Sequence, residues 1–507
     1  MKPVAPQPQP TMTIAFYNSH NLWGSHLETE LDLIQQHLDQ NHTVYQLFCQ
    51  GELPTCDINP FHDLNDCLKC IARRENGINA IDKKEKIIQQ SFLNLTQADK
   101  TEIKNFNTSY PNIDVLQDVF IDNFDIGFAV TSSIVTLIRH TNPDLVKEKN
   151  LLNRFMLSAL ATYRSTQNFL DNHKIDKMYV FNGRFAQVKA VLRACQSRNI
   201  TCLVHERGHN KNHYALFENT IPHDYTYIVG RIKQHWLAAD PNQRIQSAKA
   251  FFEARINGQE QGWVSFVGKQ EKGILPNNWD TSKHNIVVFC SSEDEFVSSS
   301  RDFKNLLYKS QLEGIKAMMK SIEGNEKVHL YIRLHPNSAD ADAVYMQEYL
   351  QLTQKNTTVI EPLSKLSTYD LMFAANTTAS FGSTIGLEAT FWGKPSVLCG
   401  VIFYDAFDCT YNPKNHQQTM LWLLDGNLPP KPQENTFFYA HYANSFGIPY
   451  QHYQAETLFT GKVNGKIIDD TLPKTNKHKS LKTLRLKRIQ RYLNYFHQQI
   501  QMLKYKY

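Results

Sequence analysis

The chain has 507 residues, 41% hydrophobic and 11% aromatic, with a formal net charge of +5. That length exceeds one ordinary core and that composition excludes a disordered chain, so two folded domains are expected. Ten cations and no acidic residue follow Asp470, which leaves −5 for everything before them. A globally basic nucleic-acid binder is excluded.

Residues 1–11 alternate Pro and Gln without an apolar signal core and read as a flexible tail, so the chain is expected to be cytoplasmic. The most apolar run, Ile126 to Ile138, is short for a bilayer and follows Asp122 and Asp125, so it reads as a buried helix. A strand at Thr13–Tyr17, a helix at Ser25–Leu38 and a strand at Thr43–Phe48 open the chain as a βαβ unit. A mixed, mostly helical stretch runs from Ala80 to His173. Strands then follow at Met178–Phe181, Thr201–Val204 and Tyr225–Val229, with a helix at Ala186–Ser197. These elements form an expected N-terminal domain over 12–272. Residues 273–283, with Pro276-Asn277-Asn278, read as a linker.

A second βα series is expected over 284–470. Its strands are Asn285–Phe289, Val328–Arg333, Thr358–Ile360, Ala379–Phe381 and Ser396–Leu398; its helices are Phe303–Met319, Tyr345–Leu352 and Thr368–Ala375. The fold class is α/β, two Rossmann-like domains facing a cleft. A basic amphipathic helix over 471–507 follows. Its stripe of Leu484, Ile489, Tyr492, Leu493, Phe496, Ile500 and Leu503 suits packing on the protein, and its cations suit an anionic membrane surface.

Chemistry-bearing groups fall just past strand ends, where α/β sheets bind ligands. Gly382-Ser383-Thr384-Ile385-Gly386 joins a strand to a helix carrying Glu388. This is an anion cradle, with Ser383 and Thr384 as donors, Gly386 for close approach and Glu388 for a sugar hydroxyl; an ordinary N-capped turn is the alternative. Arg333-Leu334-His335-Pro336 offers a guanidinium and an imidazole held off helical geometry by the proline. Such a pair binds phosphate and stabilises its charge as it leaves, or else forms a capped turn with a paired arginine. Asp340-Ala341-Asp342 fits a helix's first turn better than a Mg²⁺ site, so metal-independent chemistry with no catalytic cofactor is expected.

Asn182-Gly183-Arg184, His205-Glu206-Arg207-Gly208 and Pro222-His223-Asp224 stand at successive strand ends of the first half. Glu206 is the candidate general base, with Asp224, His205 and the His20/His26/Glu30 group as rivals; an Arg207–Glu206 structural pair is the alternative. Asn182, Arg184, Arg207 and His223 are the acceptor-side candidates. Cys49, Cys56, Cys67 and Cys70 lie close in sequence and suit a structural zinc site, with core thiols or a redox-labile pair as alternatives. Cys195, Cys202, Cys290, Cys399 and Cys409 read as core.

The Arg333–Pro336 and Ser383–Ala389 motifs, with Gly393-Lys394-Pro395, resemble the donor half of bacterial capsule polysaccharide biosynthesis proteins. These include Kdo-transferase-like and sialyltransferase-like enzymes of GT-B fold. Asn182–Arg184, His205–Gly208 and Ser291-Ser292-Glu293-Asp294-Glu295-Phe296 also look like signatures of surface-carbohydrate proteins. The resemblance implies an inverting, metal-independent glycosyltransferase. His335 and Glu206 would be catalytic, and Arg333, Ser383, Thr384, Gly386, Glu388, Ser291 and Ser292 would bind the donor. Its implied partners are a nucleotide-sugar donor and a polysaccharide or glycolipid acceptor, with contact to the inner membrane surface and none to nucleic acid. Thr384 stands where some relatives have a second serine. A nucleotide-sugar epimerase, a CDP-glycerol-type polyol-phosphate transferase and a non-enzymatic sugar-nucleotide scaffold are the competing readings.

Overall fold

The computed structural model describes residues 11–341 and 343–471. Apart from Thr11 and Thr471, the expected tail and the expected basic helix lie outside them, as does Asp342. The first sheet contains β1 (Thr13–Asn18), β2 (Thr43–Phe48), β3 (Ile87–Ser91), β4 (Lys177–Phe181), β5 (Thr201–Arg207) and β6 (His213–Glu218). The second contains β7 (His284–Phe289), β8 (Val328–Arg333), β9 (Thr357–Ile360), β10 (Thr377–Ser380) and β11 (Ser396–Leu398). The first runs β3-β2-β1-β4-β5-β6 and the second β9-β8-β7-β10-β11. All five strands of the second are parallel, as are β1 to β5 of the first. Each sheet therefore has the order 3-2-1-4-5 and reverses direction of winding once, between β1 and β4 and between β7 and β10. This is the doubly wound α/β architecture, twice over.

The strands are apolar on both faces because helices cover both. Ile14 and Phe16 of β1 enter one core with Leu31 and Ile34, whereas Ala15 and Tyr17 enter the opposite core with Phe169 and Val188. In β7 the alternation repeats: Ile286 and Val288 pack with Leu330 and Ile332, and Val287 and Phe289 with Tyr331 and Met372. Each such aliphatic side chain contributes roughly 1.5–3 kcal/mol by leaving water.

Two expectations change in detail. Tyr225–Val229 is the start of a helix, Tyr225–Ala238, and not a strand. The Asp224 carboxylate caps it by accepting from the Tyr227 N–H, and Ile228, Ile232 and Trp236 recur along its buried face. The helix expected from Phe303 begins at Gln311, where Ser310 caps the Glu313 N–H; only a short 3₁₀ turn spans Arg301–Phe303.

The chain crosses between the two sheets more than once. Helices Pro241–Ile256 and Phe437–Ser445 share a core with Leu387 and Phe391 of the second domain, and the Phe252 and Phe391 rings stack at 3.8 Å. The chain then returns: β12 (Ile448–Pro449) pairs antiparallel with β6. A small sheet of β13 (Tyr453–Ala455), β14 (Gly461–Val463) and β15 (Lys466–Ile467) follows. The packing thus joins 241–256 to the second core and 448–467 to the first. Fully buried Asp32, on the helix His26–Asp39, anchors the return by accepting the N–H groups of Gln451, His452 and Tyr453 at 3.0, 2.5 and 2.9 Å. Among the described residues no helix is long and apolar enough to cross a membrane.

Removing the Asp32 carboxylate strands three backbone donors at once. Asp32→Ala is expected to destabilise the protein by about 3 kcal/mol, read as a lower urea midpoint, and to expose 450–470 to limited proteolysis.

Candidate functional site

The carboxyl ends of the two sheets face one cleft of about 870 Å³. His335, Arg333, Ser383, Thr384 and Glu388 line it from the second domain, and Asn182, Arg184, Glu206, Arg207 and His223 from the first. Segments far apart in the chain are brought to one cavity. The two winding reversals explain where: Asn182–Arg184 follows β4 and Gly382–Thr384 follows β10, beside each switch point.

On the first side, Asn182 and Gly183 both take left-handed backbone, with φ of 55° and 73°. A Cβ on Gly183 would also press within 3.1–3.3 Å of Ile221 and Val204, so glycine is required there. The turn delivers Arg184 to the cleft, where its guanidinium packs on Phe185 and donates to the Glu295 backbone oxygen at 2.9 Å. Glu206 accepts from Asn182 Nδ2 at 2.8 Å and from the Arg207 backbone N–H at 3.0 Å. The Arg207 guanidinium itself turns away, to Ser25 Oγ at 3.0 Å and the Gly24 oxygen at 3.2 Å, so the two side chains are not a structural pair. His26 Nδ1 stands 3.9 Å from Glu206. Burial, with Arg207 nearby, holds its pKa well below the usual histidine value, so the neighbour of the carboxylate is neutral.

The rival bases are committed elsewhere. His205 is fully buried against Glu30 at 3.1 Å, His20 contacts Asp57 at 3.4 Å, and Asp224 serves the helix cap. His205, Glu30, His20 and Asp224 do not line the cleft; His26 does, as the neutral neighbour of Glu206.

On the second side, His335 keeps extended backbone before Pro336, with ψ of 137°. The Asn337 N–H donates to its Nδ1 at 3.1 Å, and Ser292 Oγ lies 3.1 Å from the same atom. Burial, then Arg139, Arg255 and Arg333, lowers its pKa to about 4. The ring is therefore neutral at pH 7, and with Nδ1 accepting, its proton sits on Nε2. Ser292 orients His335, while Ser291 ties the ends of β7 and β10 together through Oγ and the Phe381 oxygen at 3.2 Å. Arg333 donates to the oxygens of Glu361 and Ser364, and burial lowers its pKa to about 10.

Gly386 does not line the cleft. A Cβ there would fall 2.4 Å from Ser380 Oγ and 2.6 Å from Tyr404 Oη, so it lets the helix Ile385–Phe391 close on β10. That helix has only seven residues, which leaves anion binding to hydroxyls and cations more than to its dipole. Glu388 accepts from Arg255 Nε at 2.7 Å and from the Tyr369 hydroxyl, and Arg255 Nη2 donates to Thr384 Oγ1 at 2.8 Å. Glu388 thus aims Arg255 beside Thr384.

Arg255, Arg139 and Trp263 escaped the sequence reading. Arg139 reaches across to Asp294 at 3.0 Å and to the Asn337 oxygen at 2.9 Å. Five arginines (139, 184, 207, 255 and 333) line the cleft against three glutamates (206, 295 and 388). Arg184 Nε, Arg207 Nη1, Arg333 Nε and His223 Nδ1 are buried there without a hydrogen-bond partner.

The zinc expectation is not met by the geometry. All four cysteines are free thiols, and among the described residues no set of three or more His, Cys, Asp or Glu side chains is arranged to hold a metal ion. Three of the four sulfurs accept separate hydrogen bonds: Cys49 from the Gly51 N–H, Cys67 from Asn59 Nδ2 and Cys70 from Asn21 Nδ2, each at 3.3 Å. Burial raises their pKa values, to about 12 for Cys67 and about 11 for Cys70.

No family model and no curated protein matches the sequence. Among solved structures, the chain is similar to the Thermosulfurimonas dismutans KpsC β-Kdo 2,7 transferase, at 15% identity over 64% of this chain and 89% of that one, with a TM-score of 0.34. It is similar to the β-Kdo 2,4 transferase of the same organism's KpsC at 12% identity, over 53% and 87% of the two chains, with a TM-score of 0.33. Similarity extends to a UDP-GlcNAc 2-epimerase from Neisseria meningitidis, solved with UDP-GlcNAc, at 12% identity, 87% and 96% coverage and a TM-score of 0.25. The fold rests on the strand orders, not on these superpositions.

The histidines set an acid limit. His335 and His37 are lowered to about 4 and His223 to about 3, chiefly by burial, from 6.5. The unfolded chain takes up these protons first, so their stabilisation is complete above about pH 6.5 and is lost as pH falls toward 4. Urea midpoints are expected to hold from pH 8 to 7 and to drop between pH 6.5 and 4.5.

Proposed function

We propose that this protein is a glycosyltransferase that moves a sugar from a nucleotide-sugar donor to a hydroxyl of a surface polysaccharide or glycolipid. The transfer is inverting and uses no catalytic metal or other cofactor. The observation that carries this reading is the single cleft joining His335, Ser383 and Thr384 on one wall to Glu206 on the other. The arginine surplus suits the phosphates of a donor.

Glu206 accepts the proton of the acceptor hydroxyl as that oxygen bonds to the anomeric carbon. The bond from that carbon to the donor phosphate breaks, and its electrons leave with the nucleotide. His335 donates Nε2–H to the departing phosphate, while Arg255 with Thr384, Ser383 and Arg333 balance its charge. Base and leaving group approach from opposite walls, which supports inversion in one displacement. The arginines supply the positive charge that a divalent ion supplies in other transferases. The ten cations after Asp470 support docking at the cytoplasmic face of an anionic membrane, where a glycolipid acceptor resides.

The test begins with a thermal-shift screen of CMP, UDP, GDP and CDP, in which the donor's nucleotide raises the melting temperature. With that donor, His335→Ala is expected to lower kcat about 100- to 1,000-fold. Glu206→Gln is expected to lower it about 100- to 10,000-fold while nucleotide binding survives. Full transfer by His335→Ala removes its assigned role. Conversion of the donor to a new sugar without any acceptor marks an epimerase instead.

A further inference from the structure

Arg207 is the last residue of β5 and lines the cleft beside Glu206. Three separate segments meet around its guanidinium. The loop after β1 supplies Ser25 Oγ to Nε at 3.0 Å and the Gly24 oxygen to Nη2 at 3.2 Å. The segment after the helix Pro241–Ile256 supplies Trp263, with its ring 5.2 Å away, and the returning chain supplies Phe459, at 4.6 Å. Nη1 is buried and has no partner.

The two rings are large apolar surfaces left open: Trp263 is 56% and Phe459 42% exposed, and both line the cleft with Trp23. An exposed apolar patch rimmed by polar groups inside a cleft marks a surface that a ligand covers. Their faces suit the C–H faces of a sugar ring, and both rings lie within cation–π range of the guanidinium. A guanidinium so held, with one nitrogen unpaired in a desolvated place, recognises an oxyanion by a charge-assisted hydrogen bond from that nitrogen.

We infer that Arg207, Trp263 and Phe459 form an acceptor subsite for a sugar bearing an anionic group, a carboxylate or a phosphate, stacked on the rings with its oxyanion on Nη1. The inference rests on the transferase reading, because it places the acceptor on the Glu206 wall, where the hydroxyl to be deprotonated must sit.

The test is calorimetric titration of wild-type protein, Arg207→Gln and Trp263→Ala with three probes: a glucuronate-terminated oligosaccharide, its neutral glucose-terminated counterpart, and a hexose phosphate. Wild type is expected to prefer the acidic oligosaccharide or the hexose phosphate, and which of the two binds identifies the anionic group. Arg207→Gln is expected to weaken that ligand about tenfold or more without weakening the neutral one. Trp263→Ala is expected to weaken the acidic and neutral oligosaccharides alike. Equal wild-type affinity for the acidic and neutral probes, or unchanged affinity in Arg207→Gln, overturns the inference. If Arg207→Gln does not fold, Trp263→Ala decides, since its ring is exposed; unchanged affinity there overturns it too. Nucleotide binding in the same samples separates the two readings. Nucleotide bound without preference for anionic sugar removes this subsite alone, whereas anionic sugar bound without any nucleotide removes the transferase reading.

Discussion

Asp32 gathers three consecutive backbone N–H groups of the returning chain onto one carboxylate in the dry interior of the first domain. That contact brings residues 448–467 back to the domain that holds β1. A second crossing, through the stacked rings of Phe252 and Phe391, ties the helix Pro241–Ile256 to the second core. Each sheet alone would present a row of strand ends to water. Because the chain crosses between them and is pinned at both landings, the two rows face each other, and the site exists only by virtue of that pose.

Within the cleft, positive charge is abundant but held in place. Glu388, itself held by the Tyr369 hydroxyl, holds Arg255, and the oxygens of Glu361 and Ser364 hold Arg333. Arg139 and Arg184 reach from the first domain to the loops that carry Glu295 and Asn337 in the second. Guanidinium groups fixed before a ligand arrives need little reorganisation when phosphate charge develops. Burial keeps His335 neutral among them, so it acts as a directed N–H donor and not as one more cation.

Much of the frame was legible in the chain. Strand segments such as Ile286–Phe289 and Leu330–Ile332 are continuous apolar runs because both their faces are covered, and the groups just beyond them fell where parallel sheets collect ligands. What misled was local. Tyr-Thr-Tyr-Ile-Val reads as a strand by residue type, yet Asp224 caps it into a helix. Gly386 stands in a motif of ligand-binding type and serves packing. Arg255, Arg139 and Trp263 left no signal near a strand end; a helix flank, a helix terminus and an irregular segment carry them, and only the tertiary fold aims them inward.

The segment that leads from the helix Pro241–Ile256 toward β7 is itself part of the cleft, since Gln261 to Val267 and Gln270 line it. In most proteins such an irregular connection is free to change length. Here an inserted or deleted residue would recut the cavity, and a change in the angle between the halves would carry Trp263 with it. The short span from Gln261 to Gln270 is therefore as constrained as any core strand, whereas the outer edges of the sheets are free of that demand.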